Sequence, residues 1–345
     1  MTGLRTEDSG QSVAALRDGI AAVNRSPVIL LCVYAVTVIV ALPLALAMRN
    51  AIGSHLGSSL SGEHAARGVH VQWWTEFLGQ PGELRGTFQT TIIGFAAVLD
   101  NLSALADAIA RPTPIVWAGA AYLLAWLYLS GGILDRYARR RPTRSAEFFA
   151  ACGVFFVRFL RLAPFVAVAY YVVFGILHPL LFDNVYDALV RDLTSDRTAF
   201  FIRFALYLLF GIALAVVTVV FDYARVRAVV EDRRSMAGAV LAGDRFVRRN
   251  FGGVAILYVM NLGIFAAVLV LYALAAPGAE SSGIGVWIGF AVSQLYLLAR
   301  LWVRLVFLAS ETSLFQGRLA HAGYVAGMPL TASEPPIVET VIGDR

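Results

Sequence analysis

The chain has 345 residues, of which 59% are hydrophobic and only 15% charged, and its mean hydropathy is +0.70. Soluble domains carry about 25% charged residues, so this composition excludes an ordinary water-soluble fold. The formal net charge is +5 and every basic residue is Arg. The arginines gather beside apolar runs, with no basic stripe interleaved with exposed aromatics, which excludes a nucleic-acid partner.

In chain order, a polar segment 1–27 carrying Arg5, Arg17 and Arg25 precedes an apolar run at 28–48. Further runs follow at 114–134, 162–182, 199–221, 251–276 and 284–309. A hydrocarbon core of about 30 Å needs roughly 20 apolar residues in helix, and backbone polar groups in lipid are satisfied only within a helix or a closed barrel. The pattern predicts an all-α integral membrane protein with six transmembrane helices, one membrane domain over 1–320 and a disordered cytoplasmic tail over 321–345. Ala45-Leu46-Ala47 mimics a signal-peptidase site, but the polar segment before the run is longer than an ordinary signal-peptide start, so the first span is expected to stay. Segment 88–110 is also fairly apolar; Asp100 and Asp107 make it an outer-face or dipping amphipathic helix rather than a seventh span.

The arginines assign the sides. Segments 1–27, 135–161, 222–250 and the part after 299 hold 21 of the 28, including the run Arg139-Arg140-Arg141. The intervening segments hold seven, and the short turn 277–283 none. The positive-inside rule then places both termini in the cytoplasm, in a bacterial inner membrane.

A register of 87 residues aligns Asp135 with Asp222, Arg140 with Arg227, Ala150 with Ala237, Arg158 with Arg245, Phe159 with Phe246, Arg161 with Arg248 and Tyr171 with Tyr258. Ser12 to Arg25, Ser145 to Arg158 and Ser235 to Arg248 echo one another at a spacing of 13, each Ser a candidate helix N-cap. The expected architecture is three tandem hairpins, each opened by an amphipathic helix on the inner face, as in parallel-repeat transporters.

Asp222-Tyr223-Ala224-Arg225, the turn Glu231-Asp232-Arg233-Arg234 and the small-residue helix Ala237 to Gly243 leading into Arg245-Phe246-Val247-Arg248 carry a resemblance. The chain resembles six-span bacterial membrane proteins that include the membrane domain fused to some glycerophosphoryl diester phosphodiesterases. The resemblance implies architecture alone: the chain has no phosphodiesterase domain, and no functional residue transfers.

Candidate sites are few. Asn261 and Gln294 each lie 11 residues into a span, about 15 Å deep, and are expected to face each other between the fifth and sixth helices. Such a pair is either a substrate contact or an interhelical hydrogen bond of about 0.6 kcal/mol. Arg158, Arg161, Arg245, Arg248, Arg300 and Arg304 are expected at the inner face, anchored at or bound to anionic lipid headgroups. Asp222, Glu231, Asp232 and Asp244 read as charge balance on a wet face. His55, His64, His70 and His178 fall on the outer side at spacings matching no metal motif, and only His321 on the inner. Trp73-Trp74 is expected to dip into the interface. Cys32 and Cys152 read as small buried hydrophobes. No catalytic, cofactor or metal motif is present.

Three functions follow as expectations. The first is a non-enzymatic scaffold or accessory protein that binds lipid or a membrane partner. The second is a transporter or channel for a small solute or amphiphile, and the third a lipid-modifying enzyme.

Overall fold

The computed structural model describes residues 2–57, 64, 70–79, 96–141, 143–276 and 283–318. No strand occurs among them. The helices are α1 (Thr2–Asn24), α2 (Pro27–Leu56), α3 (Val71–Gly79), α4 (Ala96–Ala106), α5 (Thr113–Arg139), α6 (Ser145–Val190), α7 (Asp196–Val230), α8 (Met236–Arg249), α9 (Phe251–Ala275) and α10 (Ile284–Arg318). Six of these, α2, α5, α6, α7, α9 and α10, are long and apolar enough to cross a bilayer. The tail 321–345 and residues 88–95 lie outside the described residues.

Local chemistry sets the boundaries. Pro27 opens α2 in its first turn, where its missing N–H costs nothing and its φ suits the helix. Ser235 caps α8 by accepting from Gly238 N at 3.3 Å. The Ser pattern stops there. Ser145 makes no cap bond, and Ser12 sits inside α1 and donates to Gly253 O at 2.8 Å.

One expectation about elements fails. A short inner helix was expected before the span at Leu162, but α6 runs unbroken for 46 residues from Ser145 to Val190. Pro164 lies inside it without ending it. The helix widens into π-helical turns at Val172–Leu177 and Leu180–Val185, which flank Pro179. A residue lacking an N–H is accommodated where the hydrogen-bond ladder is already re-spaced.

The core is concentrated at one end of the bundle, where the Arg-rich segments lie. The last turns of α10 bury Leu301, Leu305, Val306, Leu314 and Phe315. Helices α5, α7 and α10 all touch one another there. Each has a flanking partner: α1 lies on α10, the first half of α6 on α5, and α8 on α7. Small residues permit these pairings. A Cβ on Gly19 would stand 2.8 Å from Ser310 N, one on Gly243 would stand 2.9 Å from Ala224 N, and one on Gly132 would meet Cys152 Sγ at 2.5 Å. Backbones at this distance gain van der Waals contact where apolar burial supplies little driving force. Cys152 is fully buried at that seam, and both cysteines are free.

At the other end the large apolar residues point outward. Leu274 is 82% exposed, Trp287 73% and Leu271 66%. Segment 88–110 contributes α4, whose 11 residues span about 16 Å and cannot cross a 30 Å core. Its acids are partnered: Asp100 pairs with Arg111 at 3.0 Å, and Asp107 with Arg203 at 3.7 Å and Tyr207. His55, expected in a solvated loop, is buried in the last turn of α2 against Trp73 and Phe77 of α3, because the short helix folds its aromatic face back onto it.

Of the residue pairs that the 87-residue register aligns, some at the Arg-rich end share their burial and others do not. Asp135 and Asp222 are both buried near the ends of α5 and α7, and Phe159 and Phe246 are both buried. Tyr171 is 68% exposed, whereas Tyr258 turns into the bundle, because α6 is continuous where α8 and α9 break at Asn250.

Candidate functional site: a charged cavity between four helices

Polar residues converge where α5, α7, α9 and α10 meet. Asp222 and Arg225 stand one turn apart on α7, so their side chains leave the same face, and Arg225 bonds Asp222 directly. From α9, the Tyr258 hydroxyl bridges two carboxylates: it meets Asp222 Oδ2 at 3.1 Å and also contacts Glu311 Oε1. Arg304, Phe307, Leu308 and Glu311 follow one another along one face of α10. With Trp126 of α5 and Thr218 of α7 these residues line a cavity of about 260 Å³. Asp222 is 8% exposed and Glu311 not at all.

Arg304 is held differently from Arg225. Its guanidinium lies 3.6 Å from the centroid of the Trp126 ring and donates to Tyr122 Oη at 3.0 Å. Among the described residues no carboxylate lies within 4.0 Å of it. A desolvated cation–π contact offsets about 2 kcal/mol, well short of the cost of an unpaired charge in a low-dielectric interior. Glu311 lies two turns further along α10, about 10 Å away by helical rise, and its Oε2 has no hydrogen-bond partner. The Asn261 Oδ1 and the Tyr223 hydroxyl, both buried nearby, are likewise unpartnered.

The expected inner-face position of Arg304 is corrected by the length of α10. The helix continues to Arg318, 14 residues or about 21 Å past Arg304, instead of stopping near 309. Arg304 is level with Trp126, ten residues and about 15 Å before Arg136 at the Arg-rich end. It therefore faces the bundle rather than its rim. Arg300, Arg161, Arg245 and Arg248 are exposed, Arg248 pairing with Asp244 at 3.0 Å. Arg158 is withdrawn into an ion pair with Asp232 and over the Phe155 ring. Asp222 too is corrected: it is buried in the cavity wall, not solvated, since α7 extends past 221 to Val230.

Asn261 and Gln294 do not pair. Helices α9 and α10 are antiparallel neighbours, with Tyr272 stacked on Tyr296 at 4.0 Å. Asn261, however, donates to Ser310 Oγ at 3.2 Å, one residue from Glu311. Gln294 accepts from Tyr34 of α2 at 2.8 Å. Antiparallel packing sets Asn261 level with residue 310, so Gln294 lies more than four turns away along α10.

The residues that sequence reasoning missed are Asp222, Tyr258 and Glu311 as a unit. A signal did exist: an acid recurs at the Arg-rich end of α5, α7 and α10, as Asp135, Asp222 and Glu311, and all three are buried. No family model matches the chain, and neither a curated protein nor a solved structure matches it.

The chemistry open to the cavity follows from its charges. Asp222 and Arg225 neutralise each other, and Tyr258 occupies one oxygen of Glu311. Arg304 is left to meet an anion. Thr218, at the rim, is exposed on α7 beside the exposed apolar side chains Ile212 and Val216, so the cavity opens toward the apolar flank of the bundle.

Proposed function

We propose that this protein is a polytopic inner-membrane protein, with both termini cytoplasmic, that binds the anionic head group of an amphiphile in the cavity between α5, α7, α9 and α10. The observation that carries this reading is Arg304, a cation inside the bundle without a carboxylate partner among the described residues, in a cavity whose rim faces an apolar surface. Ionisable groups at membrane depth are costly and mark ligand or ion pathways. The cavity is smaller than the roughly 300–1,000 Å³ of a drug-sized pocket, which suits a head group with its tails left along α7. This is the lipid-binding form of a non-enzymatic accessory protein. Native mass spectrometry of protein from membranes containing phosphatidylglycerol tests it: the wild type retains an anionic lipid that Arg304→Gln loses. Equal retention by both proteins contradicts the reading.

The six helices and their 21 to 7 arginine split support the membrane setting and its orientation. Three hairpins of related build, α1 with α2 and α5, α6 with α7, and α8 with α9 and α10, are favoured by the packing. The opening helix of each unit lies on the last helix of the unit before it, and α1 closes the circle on α10. The likeness to membrane domains of glycerophosphoryl diester phosphodiesterases bears on this architecture alone.

A second reading, transport of a small anionic solute, is favoured by one feature. The chain Asp222, Tyr258 and Glu311 gives the cavity a hydrogen-bonded acid pair of the kind proton-coupled carriers use. Proteoliposomes that take up an anion only when a proton gradient is imposed would support it. Uptake unaffected by Glu311→Gln would count against it.

A further inference from the structure

A second recess lies at the Arg-rich end, between α1, α5 and α10, and is separate from the Arg304 cavity. Its volume is about 130 Å³, and Arg25, Arg136, Arg140, Asp18, Tyr137 and Gln316 line it. Three guanidinium groups face one carboxylate there. Asp18 is already engaged, accepting from Ser313 Oγ at 3.0 Å and lying 3.7 Å from Arg140. Arg136 spends one donor on Ser26 Oγ at 3.1 Å, and Arg140 one on Ser313 Oγ at 3.2 Å. Both acceptors are neutral, so most of the five N–H donors on each guanidinium remain open; Arg140 has Asp18 as its ion-pair partner, and Arg136 has none among the described residues. Arg25 has no ion pair among the described residues.

Tyr137 separates this recess from an ordinary solvated basic face. It is 4% exposed, lines the recess, and its hydroxyl is buried without a hydrogen-bond partner. A hydroxyl buried without a partner is costly to leave so. Arginines serving only to anchor a helix end at headgroups need no such donor at their centre. The recess is far smaller than a drug-sized pocket, which restricts its occupant to a small group.

We infer that this recess is an oxyanion site that takes a phosphate group, with Arg25, Arg136 and Arg140 supplying charge and forked donors and Tyr137 a hydroxyl donor. Guanidinium forks match the oxygens of a phosphate better than a point charge does. The phosphate group belongs either to a lipid headgroup at the inner surface or to a water-soluble phosphate, and the experiment distinguishes them.

The test uses the full chain in phosphatidylcholine nanodiscs. Inorganic phosphate is titrated calorimetrically, and retention of added phosphatidic acid is followed by native mass spectrometry. Arg136→Gln with Arg140→Gln should weaken binding of the effective probe at least tenfold. Arg25→Gln, at an exposed position that cannot unfold the bundle, and Tyr137→Phe should each weaken it severalfold. Every comparison is made in an Arg304→Gln background, so that an anionic lipid held in the other cavity does not contribute. Binding of inorganic phosphate identifies a soluble ligand, and retention of phosphatidic acid alone identifies a headgroup. If the Arg304→Gln parent binds neither probe, or if Arg25→Gln and Tyr137→Phe both bind as that parent does, the site is refuted.

Discussion

Asp222 binds Arg225 inside the bundle, and this sets what single substitutions there do. Removing one partner of a buried ion pair leaves the other charge uncompensated at about 3–5 kcal/mol, whereas replacing both by apolar side chains of similar volume is near neutral. Asp222→Ala should therefore lower the thermal midpoint sharply, and Asp222→Leu with Arg225→Met should recover most of it. A double variant as unstable as the single would show that the pair is not isolated in this way. Asn261 and Gln294 behave as strangers by the same logic. Each makes an interhelical bond of about 0.6 kcal/mol to a different partner, so a double-mutant cycle between them should give a coupling near zero. The cycle between Gln294 and Tyr34 should not.

Helices pair in this bundle through glycine contacts whose consequences differ along a single element. In α1 a Cβ on Gly19 would press on the backbone of Ser310, while one on Gly10 would meet nothing within 4 Å. Gly19→Ala should cost about 1–3 kcal/mol by forcing α1 from α10. Gly10→Ala should be neutral or stabilising by up to about 1 kcal/mol through helix propensity. Unfolding midpoints measured in one detergent compare them directly. The six long helices were legible in the sequence because 20-residue apolar runs have few other solutions. Their ends were not legible, and the site lay in the ends. Counting hydropathy stops α7 at 221 and α10 at 309, yet both helices continue for nine residues, since amphipathic turns packed on α8 and α1 bury one face without being apolar throughout. Asp222 thus moved from a wet face to the interior, and Arg304 with it, while Glu311 lay beyond the counted span altogether. Asn261 was given the wrong neighbour, because counting residues in from the end of each span does not fix the register between two helices, and the packing sets Asn261 level with Ser310.

For the whole molecule, the packed core sits at the Arg-rich end and the opposite end exposes its large apolar side chains, a division suited to spans that enter lipid from a compact base. Cysteine introduced at Ser54 should react with an impermeant thiol reagent on intact cells, and cysteine at Arg141 only after lysis; the reverse pattern would invert the orientation. The central claim is that the cavity lined by Arg304, Glu311, Asp222 and Tyr258 holds an anionic head group. Its most direct test is photo-crosslinking from a benzophenone amino acid placed at Thr218, on the cavity rim, in membranes of mixed phosphatidylglycerol and phosphatidylethanolamine. The account predicts lipid adducts enriched in phosphatidylglycerol over the membrane's own composition, with the enrichment lost in Arg304→Gln. Adducts that mirror the bulk composition, or an enrichment that survives the loss of Arg304, would contradict it.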